Sequence, residues 1–260
     1  MLNKNSPIPL YYQIAERIKE QVAQGELLAG AQLPPEREFC EQLDVSRMTV
    51  RQAVNYLVGE GLLDVRPGVG TFVAQPKLTY DALHLLGFSE EMERGGSRAE
   101  SVVLEQALVV PPLSVVTKLQ LAPGERVVRI VRLRRVNGEP VLLETSMLPV
   151  GLVPDLEHAD LTQKSLYLLL EKQFGLHLQR ASQTLEGVLA NEYEQQLFGL
   201  RSGAAMILLE GVTYGVDDQP IEYFKAIYRG DRCKFELESQ RNRSNGLHSS
   251  PVNMAAKLRI

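Results

Sequence analysis

Arg47, Arg51 and Asn55 recur at i, i+4 and i+8, so on a helix they share one face. Met48, Thr49 and Gln52 fill its flanks, and no acid follows before Glu60. Two guanidinium groups, a hydroxyl and two amides are the donors that phosphates and base edges accept. Taken by itself the spacing fits an ordinary solvated helix face equally well. A second constellation lies further along. Arg132 and Arg134 alternate, and on a strand both point to the same side. Adjacent guanidinium groups repel unless an anion joins them, and a phosphate or carboxylate does so with paired hydrogen bonds. The plainer alternative, favoured on spacing alone, has both facing solvent or pairing with Glu144 and Glu186. Ser89 reads as the cap of a short helix, Glu90 to Arg94, that follows Phe88 and ends at Gly95-Gly96; Ser165 reads as another cap, with Tyr167 close by. Glu222, Tyr223 and Tyr228 belong to one strand, where a lone acid among apolar neighbours invites a hydroxyl or amine partner. Each of these is more often structural than functional.

The first constellation needs a scaffold, and the flanking residues supply one. Ser46 is suited to cap the helix start, and Val50, Val54 and Leu57 make its buried stripe. A preceding helix, about Glu36 to Leu43, starts after Pro34-Pro35. It turns Phe39 and Leu43 inward and leaves Arg37 exposed. Asp44-Val45 forms the turn, with Val45 as the apolar plug between helices. Gly61 ends the second helix, Leu62 to Val65 starts a strand, residues 66–70 (RPGVG) turn, and Thr71 to Val73 returns. An earlier helix, about Leu10 to Gln24, offers Leu10, Ile14, Ile18 and Val22 to the core. Gly68 and Gly70 beside Arg66 permit close backbone approach to a phosphate or a minor groove, although the same residues also suit a simple hairpin turn. The layout is a winged helix-turn-helix.

Residues 7–75 resemble the N-terminal domain of the GntR family of bacterial transcription regulators through PLYYQIAERIKEQVAQGEL, LPPERE, VSRMTVRQAVNYLVGEGLL and RPGVGTFV. That resemblance implies contact with double-stranded operator DNA by Arg37, Ser46, Arg47, Thr49, Arg51, Gly68 and Gly70.

Bulk charge points elsewhere. The chain of 260 residues has 28 Lys+Arg against 32 Asp+Glu, a formal net charge of −4, so it lacks the overall basic footprint of many nucleic-acid binders. What remains is local: the recognition helix and wing are basic, while acids gather on the first two helices. Few phosphate contacts per monomer imply a homodimer on paired half-sites. A hydrophobic share of 44% supports one or two real cores. No apolar run reaches the ~18 residues that span a bilayer, and no secretory leader precedes the first helix, which points to a cytoplasmic protein. Cys40 and Cys233 fall in different proposed domains, and His84, His158, His177 and His248 lack metal-ligand spacing. Neither a structural disulfide, a metal nor a cofactor is expected, and no enzyme fingerprint is present.

Composition divides the chain into a DNA-binding domain (1–75), a linker (76–84), a second domain (85–238) and a flexible tail (239–260). Strand-like runs dominate the second domain at 101–110, 126–136, 141–148, 182–189, 205–214 and 221–228, with turn signals at Asn137-Gly138 and 217–220. Helices are expected at 165–174 and 191–198. The fold class is α+β with a mostly antiparallel sheet.

GFSEEMERGG, VRLRRVNGEPVLLETSMLP, SLYLLLEKQFGL, ANEYEQQLFGL and PIEYFKAIYRGDRCKFE resemble the UTRA effector domain, whose fold is similar to chorismate lyase. This places the chain beside the GntR subfamily named for the histidine-utilisation repressor (HutC type). The resemblance implies a small anionic effector, such as a sugar phosphate or a carboxylate. Ser89, Arg132, Arg134, Ser165 and Tyr167, beside Phe88, would hold a phosphate, and Glu144, Glu222 and Tyr228 would line the sugar end. It implies a repressor relieved by ligand. Two other classes fit parts of the pattern: a lyase-like enzyme, against which no positioned acid–base pair is visible, and an architectural DNA-binding protein whose second domain only dimerises.

Overall fold

The computed structural model describes residues 2–66, 68–81 and 84–238. The N-terminal domain runs α1 (Leu10–Ala23), α2 (Glu36–Leu43), α3 (Arg47–Gly59), β1 (Leu63–Arg66) and β2 (Gly70–Val73). Ser46 starts α3 by accepting from the Thr49 N–H at 3.2 Å, and Asp44 closes α2 in the left-handed region at φ 51°. Val50, Ala53, Val54 and Leu57 of α3 pack on Ile14, Ala15 and Ile18 of α1 and on Leu63 and Val73 of the hairpin. Of the four residues expected to form the α1 stripe, Ile14 and Ile18 are fully buried, Val22 packs at the edge and Leu10 is half-buried; Ala15 takes the remaining core place. Residues 30–33 add to the wing, since Gly30 donates to the Val73 carbonyl, Val73 to Ala31 and Leu33 to Thr71, at 2.8–2.9 Å.

The second domain is built on six antiparallel strands: β4 (Ala99–Val109), β5 (Val127–Val136), β6 (Glu139–Pro149), β7 (Arg180–Leu189), β8 (Ala205–Tyr214) and β9 (Pro220–Arg229), in spatial order β4-β5-β6-β9-β8-β7. Asn137 and Gly138, at φ 52° and 80°, make the tight two-residue turn that suits the strand twist between β5 and β6. One face of the sheet is covered by α4 (Phe88–Arg94), a short 3₁₀ turn (Leu156–His158) and α6 (Leu166–Phe174). The other face carries α5 (Leu113–Leu119) at one end and α7 (Glu192–Phe198) at the other. Asn191 caps α7 in a reciprocal box with Glu194.

Three features depart from the sequence reading. Ser89 is not a helix cap: α4 begins two residues earlier than expected, at Phe88, with Gly87 in the capping place. Phe88 and Met92 lie one turn apart and both bury on the sheet, which draws the helix start forward. Residues 113–119, whose β-branched run disguises them, form α5 because Val115 and Leu119 meet the core at i, i+4. The stretch read as a linker holds β3 (Leu78–Asp81), paired in parallel with β10 (Cys233–Glu236) from the far end of the domain. There Tyr80 packs between Phe88, Tyr228 and Phe235, with ring centroids 4.8–6.3 Å apart. The tail at 239–260 lies outside the described residues, as does Pro67 in the wing turn. Among the described residues, no helix is long and apolar enough to cross a membrane.

Candidate functional site

Arg47, Arg51, Gln52 and Asn55 are exposed along α3, opposite its buried stripe, and Met48 joins them at the helix start. Thr49 is half-buried, and its hydroxyl lies 2.9 Å from the Ser46 hydroxyl, so the two form one polar corner at the N-terminus. Arg51 Nε lies 3.5 Å from a Glu36 carboxylate oxygen and Arg37 Nε donates to Glu41 at 3.0 Å. Both arginine side chains remain more than half exposed, and exposed pairs of this kind are weak enough to exchange for a phosphate. On the wing, the Arg66 guanidinium stacks 4.4 Å from the Phe72 ring centre. Gly68 and Gly70 take φ +74° and +148°, which favour glycine. A Cβ on Gly70 would strike the Gln32 side chain, whose Nε2 donates to the Val69 carbonyl at 3.1 Å. Gln32 braces the wing tip, a role the sequence does not signal because its partner lies far along the chain.

The second constellation assembles on the inner face of the sheet. Arg132 and Arg134 are 3% and 1% exposed. Arg132 Nη2 donates to Glu144 Oε2 at 2.7 Å, directly across the β5–β6 pair. Arg134 Nη1 is 3.9 Å from the same oxygen, while its Nη2 donates to Ser89 Oγ at 2.7 Å and its guanidinium lies 4.5 Å from the Phe88 ring centre. Glu186, the alternative partner, is exposed on edge strand β7, with three strands between it and β5. Two buried cations therefore share one carboxylate. Arg132 Nε and Nη1 and Arg134 Nε and Nη1 are buried with no hydrogen-bond acceptor. Burial and the neighbouring Arg132 charge lower the Arg134 pKa to about 10. Burial would raise the Glu144 carboxyl, but the Arg132 and Arg134 charges outweigh it and hold it below the ordinary range.

A second carboxylate behaves differently. Glu222 is 2% exposed; it accepts from the Tyr167 hydroxyl at 3.1 Å and the Thr213 hydroxyl at 3.2 Å. Burial pushes its carboxyl above the ordinary range, and the Glu144 charge adds to that. Ser165 does cap α6, accepting from the Leu168 N–H at 3.3 Å, and its hydroxyl donates to Glu90 at 3.1 Å. This draws the starts of α4 and α6 together: a Cβ on Gly87 would lie 3.2 Å from Ser165 Oγ. Tyr228 stands on the same face of the sheet as Arg134, edge-on to Tyr80 and Phe235. The structure thus brings Phe88, Ser89, Arg132, Arg134 and Glu144 into contact, joins Ser165 through the α4 start, and sets Tyr167 with Glu222 beside them. Thr213 was missed, because only the β8–β9 register places it opposite Glu222.

Two buried, incompletely bonded guanidinium groups next to paired hydroxyls suit an anion with a polar body. They contrast with the exposed cationic helix face of the first domain, which suits duplex DNA.

Comparison with known proteins identifies both domains. Residues 10–73 match the model of bacterial regulatory proteins of the gntR family, and residues 94–234 match the UTRA domain. The chain is 37% identical over 234 residues to the HTH-type transcriptional repressor NagR of Bacillus subtilis (strain 168), covering 90% of this chain and 96% of that protein. It is 32% identical over 236 residues to the mannosyl-D-glycerate transport/metabolism system repressor MngR of Escherichia coli (strain K12), covering 91% and 98%. The crystal structure of PhnF from Mycobacterium smegmatis superimposes with a TM-score of 0.63 at 28% identity, covering 88% of this chain and all of that one. The chain belongs to the gntR family of bacterial regulatory proteins: it is a transcriptional regulator, not an enzyme, with a winged helix-turn-helix for DNA and a UTRA domain for an effector.

Proposed function

We propose that the protein is a repressor that acts as a homodimer in the bacterial cytoplasm and is released from its operator by a small anionic metabolite, of the class of phosphorylated sugars or amino sugars. The observation that carries this reading is the pair of buried guanidinium groups at Arg132 and Arg134, served by the single Glu144 carboxylate and with four nitrogens lacking acceptors. A phosphate supplies the missing negative charge and accepts those N–H groups. Ser89 and Ser165 stand at the same end to donate hydroxyls, and Glu222, Tyr167 and Thr213 offer a polar patch to a hydroxylated body. NagR and MngR, both named as repressors and the latter of a mannosyl-D-glycerate transport/metabolism system, support repression and a sugar-related effector.

In the DNA-bound form, Arg47, Arg51 and the polar corner at Ser46 and Thr49 enter the major groove. Arg37, Gly68 and Gly70 approach the backbone. Paired half-sites double the few contacts available to one subunit. The effector acts by binding one arrangement of the two domains better than the other, which shifts the population.

The test is a thermal-shift panel of glucose 6-phosphate, glucosamine 6-phosphate, their unphosphorylated forms and small carboxylates, followed by operator binding with each hit. A phosphorylated sugar should raise the unfolding midpoint, since a ligand that favours the folded state adds stability as RT ln(1 + [L]/Kd), and should release the operator duplex. Stabilisation by unphosphorylated sugars alone would overturn the anion reading.

A further inference from the structure

The strands that carry the candidate effector residues end at one joint against the DNA-binding domain. β5 and β6, with Arg132, Arg134 and Glu144, are linked by the turn that leads into Glu139. β9, with Glu222 and Tyr228, runs into the turn at 230–232. Arg232 sits in that second turn, 8% exposed. Its Nη2 donates to Asp64 Oδ2 on wing strand β1 at 2.8 Å, and lies 3.1 Å from Glu139 Oε2 at the head of β6. Its Nε is buried without an acceptor.

The surrounding contacts close the joint from every side. Gly61, at φ +74°, lets the chain pass so near that a Cβ there would lie 2.6 Å from the Asp231 carbonyl oxygen. Lys77 Nζ donates to the Gly230 carbonyl at 2.9 Å, and the Leu78 N–H to the Arg232 carbonyl at 2.7 Å. Arg229 ties the two turns to each other, pairing with Asp231 at 2.7 Å and donating to the Pro140 carbonyl at 3.2 Å.

We propose that Arg232 couples the anion pocket to the DNA-binding face, through its bond to Asp64; this rests on the effector reading above. Coupling requires a contact that differs between two arrangements of the domains. The covalent connection at residues 74–77 exists in every arrangement and cannot supply that difference. A buried guanidinium held by one carboxylate from each domain can: when the wing withdraws, Asp64 leaves and the cation keeps only Glu139, the residue that begins the pocket strand β6. A displacement at either end is thus felt at the other as the gain or loss of a charge partner in a desolvated place.

The test uses the full chain with a labelled operator duplex, measured with and without the sugar phosphates named above. In the parent protein the sugar phosphate should weaken operator binding at least about five-fold, and by reciprocity the operator should weaken sugar-phosphate binding by the same factor. Arg232→Ala and Asp64→Asn should each bring both factors below about two-fold while each ligand alone still binds. Asp64 is more than a third exposed, so its isosteric replacement reports even if the Arg232 variant fails to fold. If the variants lose thermal stability but keep the parent's factors, Arg232 is only a structural tie and the proposal is overturned. A parent protein that binds none of the sugar phosphates overturns the effector reading itself, and the coupling role with it.

Discussion

Arg132 and Glu144 face each other across the β5–β6 pair in a 2.7 Å charge-assisted bond. Arg134, two residues along, is left 3.9 Å from the same carboxylate oxygen. An ion taken out of water loses several kcal/mol of hydration, repaid only by excellent geometry and full hydrogen bonding. Neither meets that condition, since each keeps two buried nitrogens without an acceptor; Arg134, whose hydrogen bond goes to the neutral Ser89 hydroxyl with the Phe88 ring beside it, falls further short than Arg132.

Arg134→Met should therefore be neutral or stabilising in the absence of anions, because it removes a poorly bonded buried cation while Glu144 keeps its 2.7 Å bond to Arg132. The same variant should lose the stabilisation by sugar phosphates seen in the parent. Chemical denaturation with and without ligand checks both halves; a variant that keeps the ligand response shows Arg134 to be structural.

Glu222→Gln should show a pH-dependent gain. Burial raises the folded carboxyl above its ordinary value of 4.5, so the fold prefers the protonated form. The destabilisation is absent below about pH 4.5 and grows as pH rises through the raised value. The amide keeps acceptance from Tyr167 and Thr213 without the charge. The variant's thermal midpoint should exceed the parent's at about pH 8 and converge on it near pH 4.5. A gap constant across that window would show that the charge is not what differs.

Arg51→Ala tests the reading face. The side chain is largely exposed and its Glu36 partner is solvated, so the midpoint should move by less than about 0.5 kcal/mol equivalent. Operator affinity should fall by about 1–3 kcal/mol if the guanidinium reads a base, with relaxed preference at that position. Fluorescence anisotropy on matched and mismatched duplexes makes the distinction, and unchanged affinity would place the reading face elsewhere.

Ser46→Ala removes the acceptor that the Thr49 N–H uses at the start of α3. The expected loss is about 1 kcal/mol of stability, read by urea unfolding. Ser46→Gly should lose less, because glycine is itself tolerated at that position.

Local chemistry made much of the protein legible. Ser46, followed by Val50, Val54 and Leu57 at helical spacing, announced α3 without any knowledge of its partners, because a cap and a buried stripe are properties of one segment. Asn137-Gly138 announced the β5–β6 turn for the same reason: glycine and asparagine tolerate the left-handed backbone it needs. Alternation put Arg132 and Arg134 on one side of a strand. Where two local rules competed, the reading slipped, as at α4: Ser89 looked like a cap, but Phe88 and Met92 buried together, which moved the start to Phe88 and the cap to Gly87.

What needed the tertiary structure was every relationship set by pairing between distant segments. Alternation could place the two arginines side by side but not decide whether solvent or a core lay above them; α4 and α6, folding over the inner face, decided that and left the guanidinium groups nearly dry. The β6 register chose Glu144 over Glu186, and the β8–β9 register brought Thr213 to Glu222. The pairing of Leu78 with Cys233, and of Arg232 with Asp64, joins ends of the chain whose own residues carry no mark of one another. Side-chain periodicity is written in each segment, whereas register and burial are energies of two segments together and exist only once both are in place.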